Sequence, residues 1–306
     1  MGTEKDKKTV SVVMIVKNEE ALLSRCLESV RDADEIIVCD TGSTDGTLEV
    51  ARKYTNKIFT DFTWNDSFCD ARNHAKSKAT GDWILSIDAD EYCHNFLEIK
   101  KAIELAKDNI SVYMHSHGSL TNFFKVPRLF RNDPDIIWCG AVHNHLGVTP
   151  EGEKRGMNMS GEGEIVGDVH ITYDYSQTHE KDPDRSLRIL LKEVEDPTKV
   201  REMYYLGREY LSKGKYELAI MWFGKHVVST NFTAEKADSF LSMARCYSTL
   251  GMDDDARDAC LQAIKLNPYF KEAVLFMAAI VQDNHAAPWR HMAEVADSRD
   301  VLFKRI

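Results

Sequence analysis

The first half of the chain alternates short apolar runs with stretches whose apolar residues recur at helical spacing. The apolar runs are residues 10–16, 35–40, 57–60 and 83–87. Runs of this kind predict strands that are covered on both faces. The helical stretches are residues 22–30, 48–54 and 67–79. Strands and helices that alternate through short connections predict a mainly parallel sheet with helices on its faces.

The chain that follows the fourth apolar run has a less regular pattern. It predicts a helix at 95–107, a hairpin of strands at 111–116 and 122–126, and a closing strand at 168–173. Residues 151–167 are rich in Gly, Glu and Ser. That composition predicts a loop of the kind that covers and gates a binding site.

From Pro183 the pattern becomes charged and helical, and it repeats after 37 residues. The matched pairs are Leu206 and Met243, Gly207 and Ala244, Tyr210 and Tyr247, Gly214 and Gly251, Ala219 and Ala256, and Phe223 and Cys260. Met277-Ala278 continues the register into a third copy, whose last helix is predicted at 288–297. The pattern resembles tetratricopeptide repeats. We therefore predict an α/β domain at residues 1–180 and an all-α repeat domain at residues 181–306.

Composition limits the classes of protein that the chain can represent. Hydrophobic residues make up 43% of its 306 positions, but no apolar run is long enough for a transmembrane helix. The polar start predicts no signal peptide. Seven cysteines without a C-x-x-C pair favour reduced thiols and a cytoplasmic location. The formal net charge of −10 opposes broad binding to nucleic acid or to an anionic membrane.

The strongest candidate chemistry lies at the end of the fourth apolar run. Asp88, Asp90 and Glu91, which we call the acidic triplet, place three carboxylates within four residues. Like charges this close repel one another unless a cation lies among them. Oxygen ligands alone suit a hard ion, Mg²⁺ or Mn²⁺. The alternative is a solvated acidic turn.

Polar segments also follow the other predicted strands. Lys17-Asn18-Glu19 follows the first strand, Asp40 ends the second, and Arg72 lies on the helix before the fourth. Ligands of parallel sheets bind beyond the carboxyl ends of the strands. We therefore expect these segments to converge with the acidic triplet on one site.

These segments resemble the motifs of family 2 glycosyltransferases, in the same order, over roughly residues 10–175. The resemblance rests on Val-Lys-Asn-Glu-Glu from Val16, Asp-Thr-Gly-Ser-Thr-Asp-Gly-Thr from Asp40, Ala-Arg-Asn from Ala71, and Ile-Asp-Ala-Asp-Glu from Ile87. It implies a GT-A (Rossmann-like) domain, a nucleotide-diphosphate sugar donor (a UDP-sugar first) and a divalent metal. It also implies transfer of the sugar with inversion. A domain of this family followed by tetratricopeptide-like helices resembles bacterial and phage enzymes, which implies a peptide, protein or glycan acceptor.

The resemblance assigns a role to each matched residue. Asp90 would bind the metal, together with His143. Asp88 would contact the ribose or the water shell of the metal. The remaining donor-binding candidates are Val16, Lys17, Asn18, Glu19, Asp40, Thr41, Arg72 and Ala89. Asp40 and Glu19 would bind the base and ribose, and Arg72 would bind phosphate or base.

Each of these roles has a structural alternative. Asp40 would then fix its own turn, Arg72 would form a structural ion pair, and Glu19 would be an ordinary acid of a first helical turn. His143 would be a satisfied histidine at a strand end, and His170 is a weaker candidate for a site histidine.

The catalytic base is the point at which the chain departs from the resemblance. Relatives often carry Glu directly after the site histidine, but this chain has Asn144, whose amide cannot take up a proton as a carboxylate does. Glu91 is the first alternative, ahead of Asp133, Asp135 and Glu162. The alternative for Glu91 is an acid that stabilises the metal site without taking part in proton transfer.

Two other functions compete with that of a transferase for peptides, proteins or glycans. One is an adaptor whose repeats bind partners and whose nucleotide site is vestigial. The other is a sugar transferase for modified DNA bases, which the acidic charge disfavours. We expect the repeats to bind a peptide or protein partner or to self-associate. The alternative is that they only pack against the catalytic domain.

Overall fold

A computed structural model describes residues 7–105, 111–117, 123–157, 165–173, 182–281 and 283–296 of the chain. The chain divides into two compact units, the first ending at Pro183 and the second beginning at Asp184. The boundary predicted from the sequence lay between residues 180 and 181.

The first unit contains ten strands and five helices in its described residues. The strands are β1 (Val10–Val16), β2 (Glu35–Asp40), β3 (Ile58–Phe59), β4 (Trp83–Ser86), β5 (Glu91–His94), β6 (Ser111–His117), β7 (Phe123–Arg131), β8 (Ile136–Cys139), β9 (His145–Val148) and β10 (Ile165–Tyr173). The helices are α1 (Leu23–Ser29), α2 (Thr47–Ala51), α3 (Phe68–Lys76), α4 (Phe96–Leu105) and α5 (Pro150–Lys154).

Eight of these strands form one mixed sheet in the order β3-β2-β1-β4-β7-β6-β10-β5. The half from β3 to β4 is parallel throughout, whereas β7 runs antiparallel to both of its neighbours. Apolar side chains of α1 and α4 cover one face, and α3 with the separate β8–β9 pair covers the other. The predicted fold class is confirmed.

Two local predictions were wrong. The fourth strand ends at Ser86, and residues 91–94 form an unpredicted strand that pairs antiparallel with β10. The predicted loop at 151–167 instead begins inside α5, which Thr149 caps and Pro150 starts with a fixed φ. Residues 158–164 of that loop, with Glu162, lie outside the described residues.

Glu35 links three segments at the amino ends of the parallel strands. Its buried carboxylate accepts hydrogen bonds from the Ser11 hydroxyl, from Thr80 N at 2.9 Å and from Thr80 Oγ1 at 3.0 Å, and it pairs with Lys57. Burial alone would raise the pKa of Glu35, but these partners outweigh it and lower the pKa from 4.5 to about 2.

Glu35→Gln is expected to destabilise the first unit at neutral pH but not in acid. Because the folded pKa lies below the unfolded value, the carboxylate stabilises the fold above pH 4.5, and this is lost as the pH falls toward 2. The neutral-pH contribution is about 2–3 kcal/mol. Urea unfolding of both proteins at several pH values should show their difference shrinking toward pH 2. A difference that does not change with pH would contradict this origin.

The second unit is all-helical in its described residues. Its helices are α6 (Arg185–Glu193), α7 (Val200–Ser212), α8 (Tyr216–Ser229), α9 (Thr233–Thr249), α10 (Asp253–Leu266), α11 (Lys271–Ile280) and α12 (Asp283–Val295). The last helix starts five residues before its predicted start and contains Pro288, which leaves one backbone hydrogen bond unmade. Among the described residues, no helix is both long and apolar enough to cross a membrane.

The repeated small residues lie where consecutive helices touch. Gly207 of α7 faces Phe223 of α8, and a Cβ atom built on Gly207 would be 2.8 Å from that ring. Ala244, one repeat later, is fully buried in the contact between α9 and its neighbours. The sequence pattern therefore predicted correctly where the helices approach each other.

Gly207→Ala is expected to destabilise the second unit by about 1–3 kcal/mol, because the new methyl group displaces the Phe223 ring. Gly224→Ala is the matched control, since nothing lies within 4 Å of a Cβ at that helical glycine. It should stabilise the protein by about 0.5–1 kcal/mol through helix propensity. Urea unfolding followed by circular dichroism measures both. Equal effects of the two substitutions would contradict the close contact.

Candidate functional site

The parallel half of the sheet brings three polar segments to one edge. Val16 and Asp40 are register partners at the carboxyl ends of β1 and β2, and β4 runs parallel to β1 on its other side. Thr41 ties the first two ends together, since its N and Oγ1 donate to Val16 O at 2.9 and 3.1 Å. The predicted segments after β1, β2 and β4 therefore emerge side by side.

The first two segments are also joined through Asn18, whose φ of +57° is left-handed. Asn18 N donates to Ser43 Oγ at 2.9 Å, and its Oδ1 accepts from Thr44 N at 2.7 Å. Glu19 N donates to Thr47 Oγ1 at 2.8 Å. Lys17 is exposed beside them. The loops are thus fixed to each other, and their contacts to a donor stay predictions.

Asp40 is buried, and its carboxylate organises the turn that follows it. The oxygens accept from Gly42 N at 3.0 Å, from Ser43 N at 3.0 and 3.2 Å, and from Ser43 Oγ at 2.5 Å. These contacts are those of the structural alternative. A role of Asp40 in donor binding stays a prediction.

Two arginines supply positive charge to the acidic triplet. Arg72 Nη2 lies 2.6 Å from Asp88 Oδ1, and Arg128 lies 3.4 Å from Asp88 Oδ2. Arg128 Nη2 also lies 2.5 Å from Glu91 Oε1. Burial would raise the pKa of Asp88, but the charges and hydrogen bonds of the two guanidinium groups outweigh it and lower the pKa. The carboxylate of Asp88 is therefore shared between two cations.

Arg72 is held from several sides. Its Nε donates to Asn144 Oδ1 at 3.3 Å and its Nη1 to Ser86 Oγ at 3.4 Å, and the guanidinium lies 5.3 Å from the ring centroid of Trp138. Asn144 in turn donates to Gly140 O. Helix α3, the end of β4 and the β8–β9 turn thus all orient one guanidinium group.

Glu91 lies in β5 and is buried rather than open to an acceptor. Its Oε2 accepts from Asp88 N at 2.8 Å, its Oε1 pairs with Arg128, and its own N donates to Asp88 O at 3.0 Å. Burial raises the pKa of Glu91, against the opposing charge of Arg128 and with support from the negative charge of Asp88. These contacts favour the alternative of a supporting acid.

The two predicted metal ligands, Asp90 and His143, differ in their exposure to solvent. Asp90 is half-buried within the triplet, whereas His143 is exposed in the β8–β9 turn with a left-handed φ of +52°. The described residues contain no group of three or more His, Cys, Asp and Glu suited to a metal. One or two carboxylates can hold Mg²⁺ when substrate phosphates and water complete its shell. Asp90 could therefore hold such a metal only together with the phosphates of a substrate, and its role as a ligand stays a prediction.

The other carboxylates considered as a base belong to a separate network. Asp133 and Asp135 pair with Arg155 at 2.9 and 2.5 Å, and Asp133 O accepts from Lys76 Nζ at 2.8 Å. The side chain of His170 lies outside the described part of the chain. The structure therefore brings Asp88, Asp90, Glu91 and Arg72 together and ties Asp133 and Asp135 to Arg155.

Arg128 is the site residue that the sequence analysis missed. Leu85 of β4 pairs with Leu129 of β7, so Arg128 is the next residue beyond the end of that ladder. The register of β7 with β6 shifts between Val112 and Met114, opposite Pro127 and Arg128. Such a bulge turns a side chain to a new direction. The sequence holds this residue in the segment Arg128-Leu129-Phe130-Arg131, which resembles the acceptor side of family 2 glycosyltransferases, but the strand predicted there stopped at residue 126.

Comparison with known proteins finds a family model for part of the first unit and several relatives of the chain. Residues 11–146 match the family model described as Glycosyl transferase family 2. A TPR repeat-containing protein of Synechococcus elongatus is 41% identical over 140 residues, covering 44% of this chain and 34% of that protein. The SPbeta prophage-derived glycosyltransferase SunS of Bacillus subtilis is 28% identical over 242 residues, covering 74% of this chain and 55% of that protein.

Among solved structures, S. aureus TarS in complex with UDP-GlcNAc matches with 17% identity and a TM-score of 0.44. The match covers 95% of this chain and 89% of that one. The chain spans about a third to a half of the length of the curated relatives named above.

Proposed function

We propose, from the family 2 glycosyl transferase domain at residues 11–146, that the chain is a metal-dependent glycosyltransferase. It moves a sugar from a nucleotide-diphosphate donor, a UDP-sugar first, to a peptide, protein or glycan acceptor. The observation that carries the proposal is the pairing of Arg72 with the acidic triplet at the strand ends inside that domain.

The chemistry requires positive charge where the diphosphate leaves. In a single in-line displacement, the anomeric carbon inverts while negative charge develops on the leaving group. Arg72 is oriented by three elements and presents a planar fork that suits phosphate oxygens. Asp90 would hold the metal, with His143 as the second predicted ligand, and the bound ion would supply further charge for the same leaving group.

None of the positions predicted for a catalytic base offers an open carboxylate that could take up the acceptor proton. Asn144 binds Arg72, and Glu91 is buried between Asp88 and Arg128. We infer that the acceptor needs little activation or that the base lies elsewhere in the chain. The helical unit, which resembles tetratricopeptide repeats, would then select the acceptor or mediate self-association.

A panel of donors tests the proposal. Thermal melting of the protein should shift upward with one nucleotide-diphosphate sugar, and more strongly with Mn²⁺ or Mg²⁺ present. The same donor should be hydrolysed or consumed in transfer only with the metal. Because the sequence does not fix the nucleotide base, the panel contains UDP-, GDP-, dTDP-, CDP- and ADP-sugars. Failure of every donor to shift the melt in the presence of metal would refute the proposal.

A further inference from the structure

We propose that Arg128 is a second diphosphate-binding arginine, held between Asp88 and Glu91 until a donor reaches the site. The inference rests on the proposed function and extends it to a residue to which the sequence analysis gave no role in donor binding. It begins from the position of Arg128, which β7 places beside the carboxyl end of β4. The proposed diphosphate site lies at that same end.

The contacts of Arg128 are with the residues that would surround a metal–diphosphate. Its Nη2 lies 2.5 Å from Glu91 Oε1 and 3.4 Å from Asp88 Oδ2, and the side chain is only 15% exposed. Burial would lower the pKa of Arg128, but the charges of all three carboxylates of the acidic triplet raise it. Asp90, the expected metal ligand, is therefore within electrostatic reach of this guanidinium.

The guanidinium is not fully satisfied by the carboxylates that hold it. Arg128 Nε is buried and has no hydrogen-bond partner among the residues described by the structure. Its contacts to Asp88 are also long, at 3.4 Å to both Nη1 and Nη2. Arg72 already occupies the other oxygen of Asp88 at 2.6 Å. A diphosphate offers more oxygens than these two carboxylates, so the fork gains hydrogen bonds by turning toward it.

The two arginines then have different positions relative to the leaving group. Arg72 approaches from α3 and is fixed by Asn144 and Ser86. Arg128 approaches from β7 and is fixed by carboxylates alone in the described contacts. Together they offset two of the charges of the acidic triplet. Both arginines are therefore already in the site, paired with acids of the acidic triplet, when a nucleotide-diphosphate donor binds.

Calorimetric binding of uridine, UMP and UDP in the presence of Mn²⁺, with a GDP series in parallel, tests this role. Arg128→Gln should weaken the binding of the diphosphate about 10-fold or more, while the nucleoside and monophosphate change little. Arg128→Lys should fall between, because it keeps the charge and loses the fork. Arg131→Gln, on the same strand beside Trp83 at the opposite end of β4, is the matched control and should leave the series unchanged.

The variant Arg128→Gln leaves Glu91 buried without its cation, so the double variant Arg128→Gln/Glu91→Gln guards against unfolding. It should fold and keep the selective loss of diphosphate binding. A wild-type protein that binds neither diphosphate more tightly than its nucleoside would refute the proposed function itself. If the wild type prefers a diphosphate but Arg128→Gln weakens the whole series equally, or weakens nothing, then Arg128 is structural and the inference is wrong.

Discussion

Asp90→Asn will reduce sugar transfer about 1,000-fold or more and will remove the extra thermal stabilisation that Mn²⁺ gives in the presence of UDP. The substitution keeps the size of the side chain and removes the charge of the carboxylate that is the proposed metal ligand. A metal that offsets charge on a leaving group contributes several kcal/mol to the transition state, which corresponds to a loss of about this size.

Asp82→Asn is the matched control for this prediction. Asp82 directly precedes β4, so it lies at the opposite end of that strand from the acidic triplet. It is exposed and accepts hydrogen bonds from Thr9 N and Thr9 Oγ1, both at 2.8 Å. We expect a small loss of stability and full transfer activity from this change. Transfer by Asp90→Asn at the wild-type rate, with its melting temperature still raised by Mn²⁺ and UDP, would contradict the role of Asp90.

The parts of the fold that the sequence predicted well are those encoded by local pattern. The continuous apolar runs of β1 and β2 are almost wholly buried in the structure, as expected for strands covered on both faces. Parallel order then places the ends of β1, β2 and β4 together. The convergence of Val16, Asp40 and Asp88 could therefore be deduced without coordinates.

The parts that could not be predicted depend on contacts between distant residues. β5 begins with a carboxylate and is stabilised by pairing with β10, far along the chain. Glu91 is buried there because Arg128, 37 residues later, compensates its charge. Repulsion among the triplet carboxylates requires a cation, and from the sequence that cation was predicted to be a metal. The structure shows that Arg72 and Arg128 also supply positive charge there, which no local pattern indicates.

The same arginine pairing separates two roles within the acidic triplet. Asp88 and Glu91 bind guanidinium groups and one another's backbone, so they fix the geometry of the strand end. They are therefore the groups that position the arginines. Asp90, which lies between them in sequence, keeps the metal-binding role that the family resemblance implies.

Arg72→Gln is expected to lower turnover about 100- to 1,000-fold, and Arg72→Lys about 10-fold. Arg72 is the arginine that binds both an acid of the triplet and the β8–β9 turn, through Asp88 and Asn144. In other enzymes, removal of one fixed hydrogen-bond donor that faces developing negative charge lowers kcat by a factor of this size. Lysine keeps the charge but cannot contact Asp88, Asn144 and a phosphate oxygen together. Steady-state kinetics with the donor identified by the panel measures both.

His74→Gln is the control for Arg72, because His74 lies on the same helix and pairs with Asp61 at 3.0 Å instead of with the triplet. It should change kcat by less than about 2-fold, since surface pairs of this kind contribute little. The kinetics and stability of Arg72→Gln and Arg72→Lys together decide whether Arg72 is a structural ion-pair partner or a diphosphate ligand. A purely structural ion pair would show its loss in unfolding free energy, with kcat kept in the protein that remains folded. A diphosphate ligand must instead show it in kcat and in the affinity for UDP, with lysine retaining more of both than glutamine.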